Sequence, residues 1–130
     1  MHSTTLSPRE EQIGKCIVDS AYAVHSALGP GLLESVYELC FCHELGKRGL
    51  AYRRQVAVPI VYDGIAFAEG LRLDVLVEDL VICELKAVEG AQRLHIVQLL
   101  TQLKLTDKHL GYLINFNAPL IKEGIRRVIR

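Results

Sequence analysis

Two consecutive apolar segments are separated only by an acidic dipeptide, Glu78-Asp79. Leu-, Val- and Ile-rich runs joined by so short a polar pair predict two antiparallel strands, about residues 70–77 and 80–87, connected by a tight turn. Side chains alternate along a strand, so charges two residues apart share one face. Each strand contains one such pair: Arg72 and Asp74 in the first, Glu84 and Lys86 in the second.

The register of this hairpin decides whether the charged faces coincide. A turn about Asp79 places Cys83 opposite Val75 and Glu84 opposite Asp74, and directly opposed Cβ atoms lie ~4.5–5.5 Å apart. Two carboxylates that close repel each other unless a positive charge intervenes, and Mg²⁺ with its oxygen ligands meets that need. The same register puts Arg72 opposite Lys86. The alternative is that these charges form ordinary cross-strand ion pairs on a solvent-facing surface.

Helical periodicity precedes the strands. It predicts one helix over about residues 10–28, ended by Gly29-Pro30-Gly31, and a second over about residues 32–48, closed by Gly49. The apolar positions are Ile13, Ile17, Ala21, Val24 and Leu28 in the first helix, and Leu33, Val36, Tyr37, Cys40, Phe41 and Leu45 in the second.

Further β-type and helical segments complete the pattern. Residues 55–62 predict a strand followed by an Asp63-Gly64 hairpin, with Pro59 indicating an edge position or a bulge. A third helix is expected over about residues 91–106, with Gln98 and Gln102 away from its apolar set, and a strand over residues 110–116. That apolar set is Leu94, Val97, Leu100, Leu103 and Leu105.

Residues 125–129 fit either a short strand or a short helix. The order α-α-β-β-β-α-β predicts an α/β fold in which helices flank a mixed sheet. We expect one domain over residues 1–130, with residues 1–7 as a frayed terminus.

Composition limits the classes of function. The formal net charge is zero, whereas domains that hold nucleic acid mainly by neutralising phosphates are usually strongly basic. Any nucleic-acid affinity must therefore come from a local groove or from a partner. No apolar run is long enough to span a membrane and no signal peptide is visible, so we expect a cytoplasmic protein. The four cysteines are expected to be small buried hydrophobes.

Three polar residues of the first two helices admit two interpretations each. Tyr37 lies three residues after Glu34 and either holds that acid or is a core tyrosine with a satisfied hydroxyl. Glu38 is expected to face solvent. His25 either points towards the charged hairpin or makes a structural hydrogen bond, which we favour.

Several motifs together resemble one family. The heptad 31–37, with Gly31, Glu34 and Tyr37, matches the signature of the GxxExxY proteins, which belong to the PD-(D/E)XK nuclease superfamily. The resemblance runs from about His25 to Asn117. Its other landmarks are Gln55 before Val58-Pro59, Tyr62-Asp63-Gly64, Arg72-Leu73-Asp74, Glu84-Leu85-Lys86-Ala87, Gln98-Leu99-Leu100 and residues 111–117.

The resemblance implies a restriction-endonuclease-like α-β-β-β-α-β core with an extra N-terminal helix. In such a site Asp74, Glu84 and the main-chain carbonyl of Leu85 would bind the metal, and Lys86 would assist catalysis. Glu34 would ligate the metal directly or through water. Gln98 would match the glutamine of a Q-x-x-x-Y motif, although Gln102 stands where tyrosine is common.

The expected function is a Mg²⁺-dependent nuclease acting on DNA or RNA, in which Mn²⁺ substitutes for Mg²⁺. The alternatives are a non-catalytic module that binds a protein partner and a subunit active only within a larger nucleic-acid-processing complex. By analogy with small nucleases of this fold, a homodimer is also expected.

Overall fold

The computed structural model describes residues 5–90 and 93–130. Within them, four helices and five strands follow one another along the chain. Their order is α1 (Pro8–Leu28), α2 (Glu34–Lys47), β1 (Tyr52–Tyr62), β2 (Ile65–Val77), β3 (Val81–Lys86), α3 (Arg93–Leu105), β4 (Leu110–Asn115), α4 (Ile121–Gly124) and β5 (Ile125–Ile129). Residues 125–129, for which two interpretations stood open, form a strand.

Helix α1 begins at a capping box. The Ser7 hydroxyl accepts a hydrogen bond from the Glu10 amide (3.1 Å), and the Glu10 carboxylate accepts one from the Ser7 amide (2.8 Å). This exchange satisfies two amides that lack partners at a helix start. The preceding Leu6 packs against the core. Of the expected frayed terminus, residues 1–4 lie outside the described part, as do residues 91–92 of the predicted third helix.

The strands form a single mixed sheet in the order β1-β2-β3-β4-β5. Only β3 and β4 run parallel, and the other neighbours are antiparallel. The turn between β2 and β3 lies at Glu78 and Asp79, which both have positive φ (53° and 56°). Val77 pairs with Val81 and Val75 with Cys83, so the predicted hairpin register is confirmed for residues 75–77 and 81–83.

Helices cover the sheet unequally. α1 and α2 pack on one face, where they form the larger core with Val75, Cys83 and Leu85. α3 alone packs on the other face, against residues that include Leu73 and Ile82. This mixed α+β architecture is that of a restriction-endonuclease-like fold, as expected. All four cysteines are free, two buried and two half-buried.

The prediction of which face of α3 packs on the sheet is wrong. Leu99 and Leu103 are fully buried and Gln102 is nearly so. Gly111 of β4 makes room for Leu99, since a Cβ on that glycine would lie 2.9 Å from Leu99 Cδ1. This close helix–strand contact overrides the leucine periodicity. Of the predicted apolar set only Leu103 is buried, and the others are exposed: Leu94, Val97, Leu100 and Leu105.

The β1–β2 hairpin is longer than predicted and projects from the sheet. Its register shifts between Val58 and Ile60, as Pro59 indicated. Gly70 lies against the backbone of Val58 there, where a side chain would collide. Beyond this point residues 59–69, called the arm below, contribute no side chain to either core cluster.

Candidate metal centre

The two acidic residues lie where β2 and β3 separate. Backbone pairing between the strands stops at Val75 and Cys83. At the next residues, Asp74 and Glu84, bonds from backbone amides to the two carboxyl groups connect the strands instead. The Leu85 amide donates to Asp74 Oδ2 (2.9 Å), and the Asp74 amide donates to Glu84 Oε1 (3.2 Å). Each carboxyl group is thus fixed by a backbone amide of the opposite strand.

Burial makes this pair electrostatically costly. Glu84 is only 7% exposed, and Asp74 is half-buried. Burial, followed by the neighbouring charge of Asp74, raises the pKa of Glu84 to about 8. Both carboxyl groups therefore ionise together only at a cost, which a bound proton or a cation would relieve.

A backbone oxygen faces the same gap. The Lys86 carbonyl accepts a hydrogen bond from the Phe116 amide (2.8 Å) and so points towards β4. Neighbouring residues of a strand direct their amide and carbonyl groups to opposite sides, so those of Leu85 point towards β2. The Leu85 carbonyl therefore faces the side on which its amide contacts Asp74.

Glu34 and Lys86 border the acidic pair. Glu34 is the first residue of α2. Desolvation raises its pKa, and the nearby charge of Lys86 opposes that shift, while Asp74 adds to it. These mutual effects place Glu34, Asp74 and Lys86 in one neighbourhood at the carboxyl end of β3.

Two carboxylates and one carbonyl are a donor set that suits Mg²⁺, which retains several waters and takes few protein ligands. In the described ranges, no group of three or more His, Cys, Asp or Glu side chains is arranged to hold a metal ion.

Comparison with known proteins agrees with this geometry. The sequence model of the PD-(D/E)XK nuclease superfamily matches residues 11–128. The chain belongs to the PD-(D/E)XK nuclease superfamily. No curated protein and no solved structure matches it significantly. Among the described residues, no helix is both long and apolar enough to cross a membrane.

Two other polar residues from the superfamily-like motifs lie outside this cluster. Gln98 is exposed on α3 and makes no side-chain hydrogen bond within the described part of the chain. Gln102, one turn further along, is buried, and its Oε1 has no hydrogen-bond partner there. Arg72 is exposed, and the β2–β3 ladder ends at Val75 and Cys83, so the predicted pairing of Arg72 with Lys86 is wrong.

Glu38 was expected to face solvent, and this is wrong. Its buried carboxylate accepts hydrogen bonds from Arg54 Nε (2.9 Å) and Gln55 Nε2 (2.7 Å). Gln55 has a positive φ of 50° and lies between positions paired with Val75 and Leu73, beside Asp74. Two donors from β1 satisfy the buried charge, and sequence periodicity on α2 contains no signal for them.

The sequence analysis included Asn115 in the motif 111–117 but assigned it no role. It is buried at the end of β4, where its Nδ2 donates to the Val88 carbonyl (2.8 Å) and its Oδ1 accepts from the Val88 amide (3.2 Å). This pair of bonds fixes the chain two residues after Lys86. The one available signal was an amide at the end of an otherwise apolar strand.

Tyr37 and His25 have structural roles. The Tyr37 hydroxyl donates to the Gly29 carbonyl (2.5 Å) and accepts from the Leu32 amide (3.1 Å), and its ring stacks on Phe116 with centroids 4.7 Å apart. Tyr37 thereby fixes the loop that leads to Glu34. His25 Nε2 lies 2.8 Å from the Ala118 carbonyl, in agreement with the favoured interpretation.

Proposed function

We propose that this protein is a Mg²⁺-dependent nuclease that hydrolyses phosphodiester bonds of DNA or RNA. The observation that carries the proposal is the buried Asp74–Glu84 pair at the point where β2 and β3 separate, with Lys86 beside it. Superfamily membership supports a nuclease-type activity. Metal dependence and the choice of substrate belong to the proposal.

The residues of the site have different roles in the proposed reaction. Asp74, Glu84 and the Leu85 carbonyl would hold Mg²⁺, or Mn²⁺ in its place. The bound ion would supply Lewis acidity and positive charge for the developing phosphorane. Lys86 orients the attacking water and donates a hydrogen bond to the negative phosphate oxygens.

Glu34 and Gln98 have supporting roles in this proposal. The raised pKa of Glu34 suits a group that accepts hydrogen bonds from water at the rim. Gln98, exposed near the start of α3, is assigned to substrate contact, which is consistent with its freedom from hydrogen bonds in the described part of the chain.

Calorimetry with Mn²⁺, followed by cleavage assays, tests this function. Wild type is compared with Asp74→Asn/Glu84→Gln, on labelled single- and double-stranded DNA and RNA. Asp107→Asn is the matched control, because that carboxylate is exposed and pairs with Arg130 at 3.2 Å, away from the site. We expect the double variant to lose both Mn²⁺ binding and metal-dependent cleavage.

The control should retain both properties. Mn²⁺ binding without cleavage of any substrate would favour a subunit that needs a larger complex. Equal behaviour of wild type and double variant, with neither binding nor cleavage, would refute the nuclease and favour a protein-binding module.

A further inference from the structure

The arm presents an apolar face that nothing in the described chain covers. Ile60 pairs with Phe67 and Tyr62 with Ile65, and paired residues share a face of the ribbon. Tyr62 is 73% exposed, Ile65 56% and Phe67 47%. A groove of about 560 Å³ runs beside them and is also lined by Ala68 and Glu69. In the described chain no third strand or helix packs on this end of the ribbon, and two strands alone bury little apolar surface.

Helix α3 presents a second uncovered apolar face. The leucine-rich side of the helix points outward, with Leu94 59% exposed, Val97 50% and Leu100 39%. Arg93 and Lys104 lie among these positions on the outward arc of the helix. A helix with three large apolar side chains exposed on one side has the pattern of a docking helix.

The charges on the two faces are complementary. The arm carries Asp63 and Glu69 and no basic residue, whereas α3 carries Arg93 and Lys104 and no acidic residue. None of these four side chains forms an ion pair within the described ranges. An acidic arm repels a polyanion, so its charges favour a basic protein surface over nucleic acid as its occupant.

We propose that two copies of this chain associate by reciprocal exchange, with the arm of each copy packed on the outward face of α3 of the other. A twofold axis relates the two contacts, so each copy offers both surfaces and the assembly closes as a dimer.

The surface available is sufficient for a dimer. Aromatic side chains bury ~150–250 Å² each and aliphatic ones somewhat less, so complete burial of the exposed parts of the three arm residues and three α3 residues would remove at most roughly 1,200 Å² over two copies. A specific interface needs about 1,000 Å² in total. No metal-site residue takes part in the dimer, so Mn²⁺ binding does not depend on it, whereas Gln98, assigned above to substrate contact, lies next to Val97 on the same exposed side of α3.

Sedimentation velocity over a concentration series tests the proposal. Wild type should be a dimer, and Tyr62→Ser/Phe67→Ser and Leu94→Ser/Val97→Ser should each weaken dimerisation at least about 10-fold. Leu39→Ser is the matched control, since Leu39 is 55% exposed on α2 and lies outside both faces. Circular dichroism establishes that each variant is folded.

Mixing the two variants separates this arrangement from an arm-to-arm dimer. The intact arm of the α3 variant can bind the intact α3 of the arm variant, so the mixture should form a heterodimer through one contact. Asp63→Lys/Glu69→Lys should also weaken the dimer, and adding Arg93→Glu/Lys104→Glu to the same chain should restore it.

Three results would overturn the proposal. They are a monomeric wild type, dimerisation unaffected by either pair of serine substitutions, and loss of the dimer in the arm variant alone with no heterodimer on mixing. Mn²⁺ binding measured on the same samples reports the metal site separately, so failure of one proposal is distinguishable from failure of the other.

Discussion

At the scale of single residues, the site rests on a buried acid that holds a proton. The pKa of Glu84 is raised chiefly by burial and then by Asp74. Its amide partner on Asp74 fixes the carboxyl group without neutralising it. When it is protonated, such a group stabilises the folded state. When it is ionised, the folded state is stabilised by binding a cation beside it.

The first prediction concerns pH and stability. Glu84 binds a proton in the folded chain up to about pH 8 and in the unfolded chain only up to about its ordinary value of 4.5. The contribution of Glu84 to the free energy of unfolding is therefore fully present below pH ~4.5 and is lost as the pH rises through ~8. The free energy falls by no more than about 1.4 kcal/mol per pH unit. Without added metal, the free energy of unfolding should fall over this window.

Urea denaturation of wild type and Glu84→Gln across that window measures the effect. The variant should show a shallower decline, with the remainder arising from Glu34, whose pKa is also raised. Glu78 has a lowered pKa, so its contribution to stability is lost only when the pH falls below this range. Parallel curves for the two proteins would contradict the assignment.

A second prediction tests Asn115 as the residue that positions the end of β3. Asn115→Asp removes the donor to the Val88 carbonyl and brings two like oxygens together, which should lower the free energy of unfolding by about 1–3 kcal/mol. Hydrogen exchange of the Val88 amide should accelerate. Asn117→Asp is the control, because the Asn117 side chain makes no hydrogen bond in the described part of the chain. Unchanged exchange of the Val88 amide in Asn115→Asp would count against the positioning role of Asn115.

At the scale of elements, the contact between α1 and β4 predicts that one substitution changes stability in opposite directions in two backgrounds. A Cβ on Gly14 would collide with the Tyr112 hydroxyl. Gly14→Ala should therefore destabilise the protein, although alanine normally stabilises a helix by about 1 kcal/mol relative to glycine. In a Tyr112→Phe background the hydroxyl is absent, and the same substitution should be neutral or stabilising.

Thermal unfolding of the four proteins in this double-mutant cycle measures the coupling. Additive effects of the two substitutions would show that the hydroxyl does not occupy the space beside Gly14.

Much of the element order was predictable because it depends on local signals. The tight turn at Glu78-Asp79 determined the β2–β3 register, and Pro59 indicated the bulge in β1. The placement of Asp74 beside Glu84 followed from that register. Local turn chemistry and strand alternation thus sufficed for the centre of the site.

The remainder depended on contacts between distant segments. The inward face of α3 is determined by Gly111, whose missing side chain admits Leu99. The burial of Glu38 depends on Arg54 and Gln55 from another element. No periodicity within α2 or α3 contains that information, so the inward face of α3 and the exposure of Glu38 were assigned wrongly.

At the scale of the whole molecule, the core and the arm are separable. Replacing residues 59–70 by Asn-Gly would join Val58 to Leu71, which are paired in the ladder, through a two-residue hairpin turn. Because the arm contributes nothing to either core cluster, the shortened protein should fold as a monomer, keep the melting temperature of the dissociated wild type within a few degrees and keep its Mn²⁺ affinity within a factor of about 3. Differential scanning calorimetry and titration measure both, and unfolding of the shortened chain would contradict this separation.

The position of a bound ion tests the central claim most directly. Crystals grown with Mn²⁺ would give an anomalous difference map in which the ion is identified by its own scattering. The account predicts one strong peak in contact with the Asp74 and Glu84 carboxylates and the Leu85 carbonyl, and its loss in Glu84→Gln. A map with no peak there, or a peak that persists in the variant, would contradict a metal-dependent nuclease site.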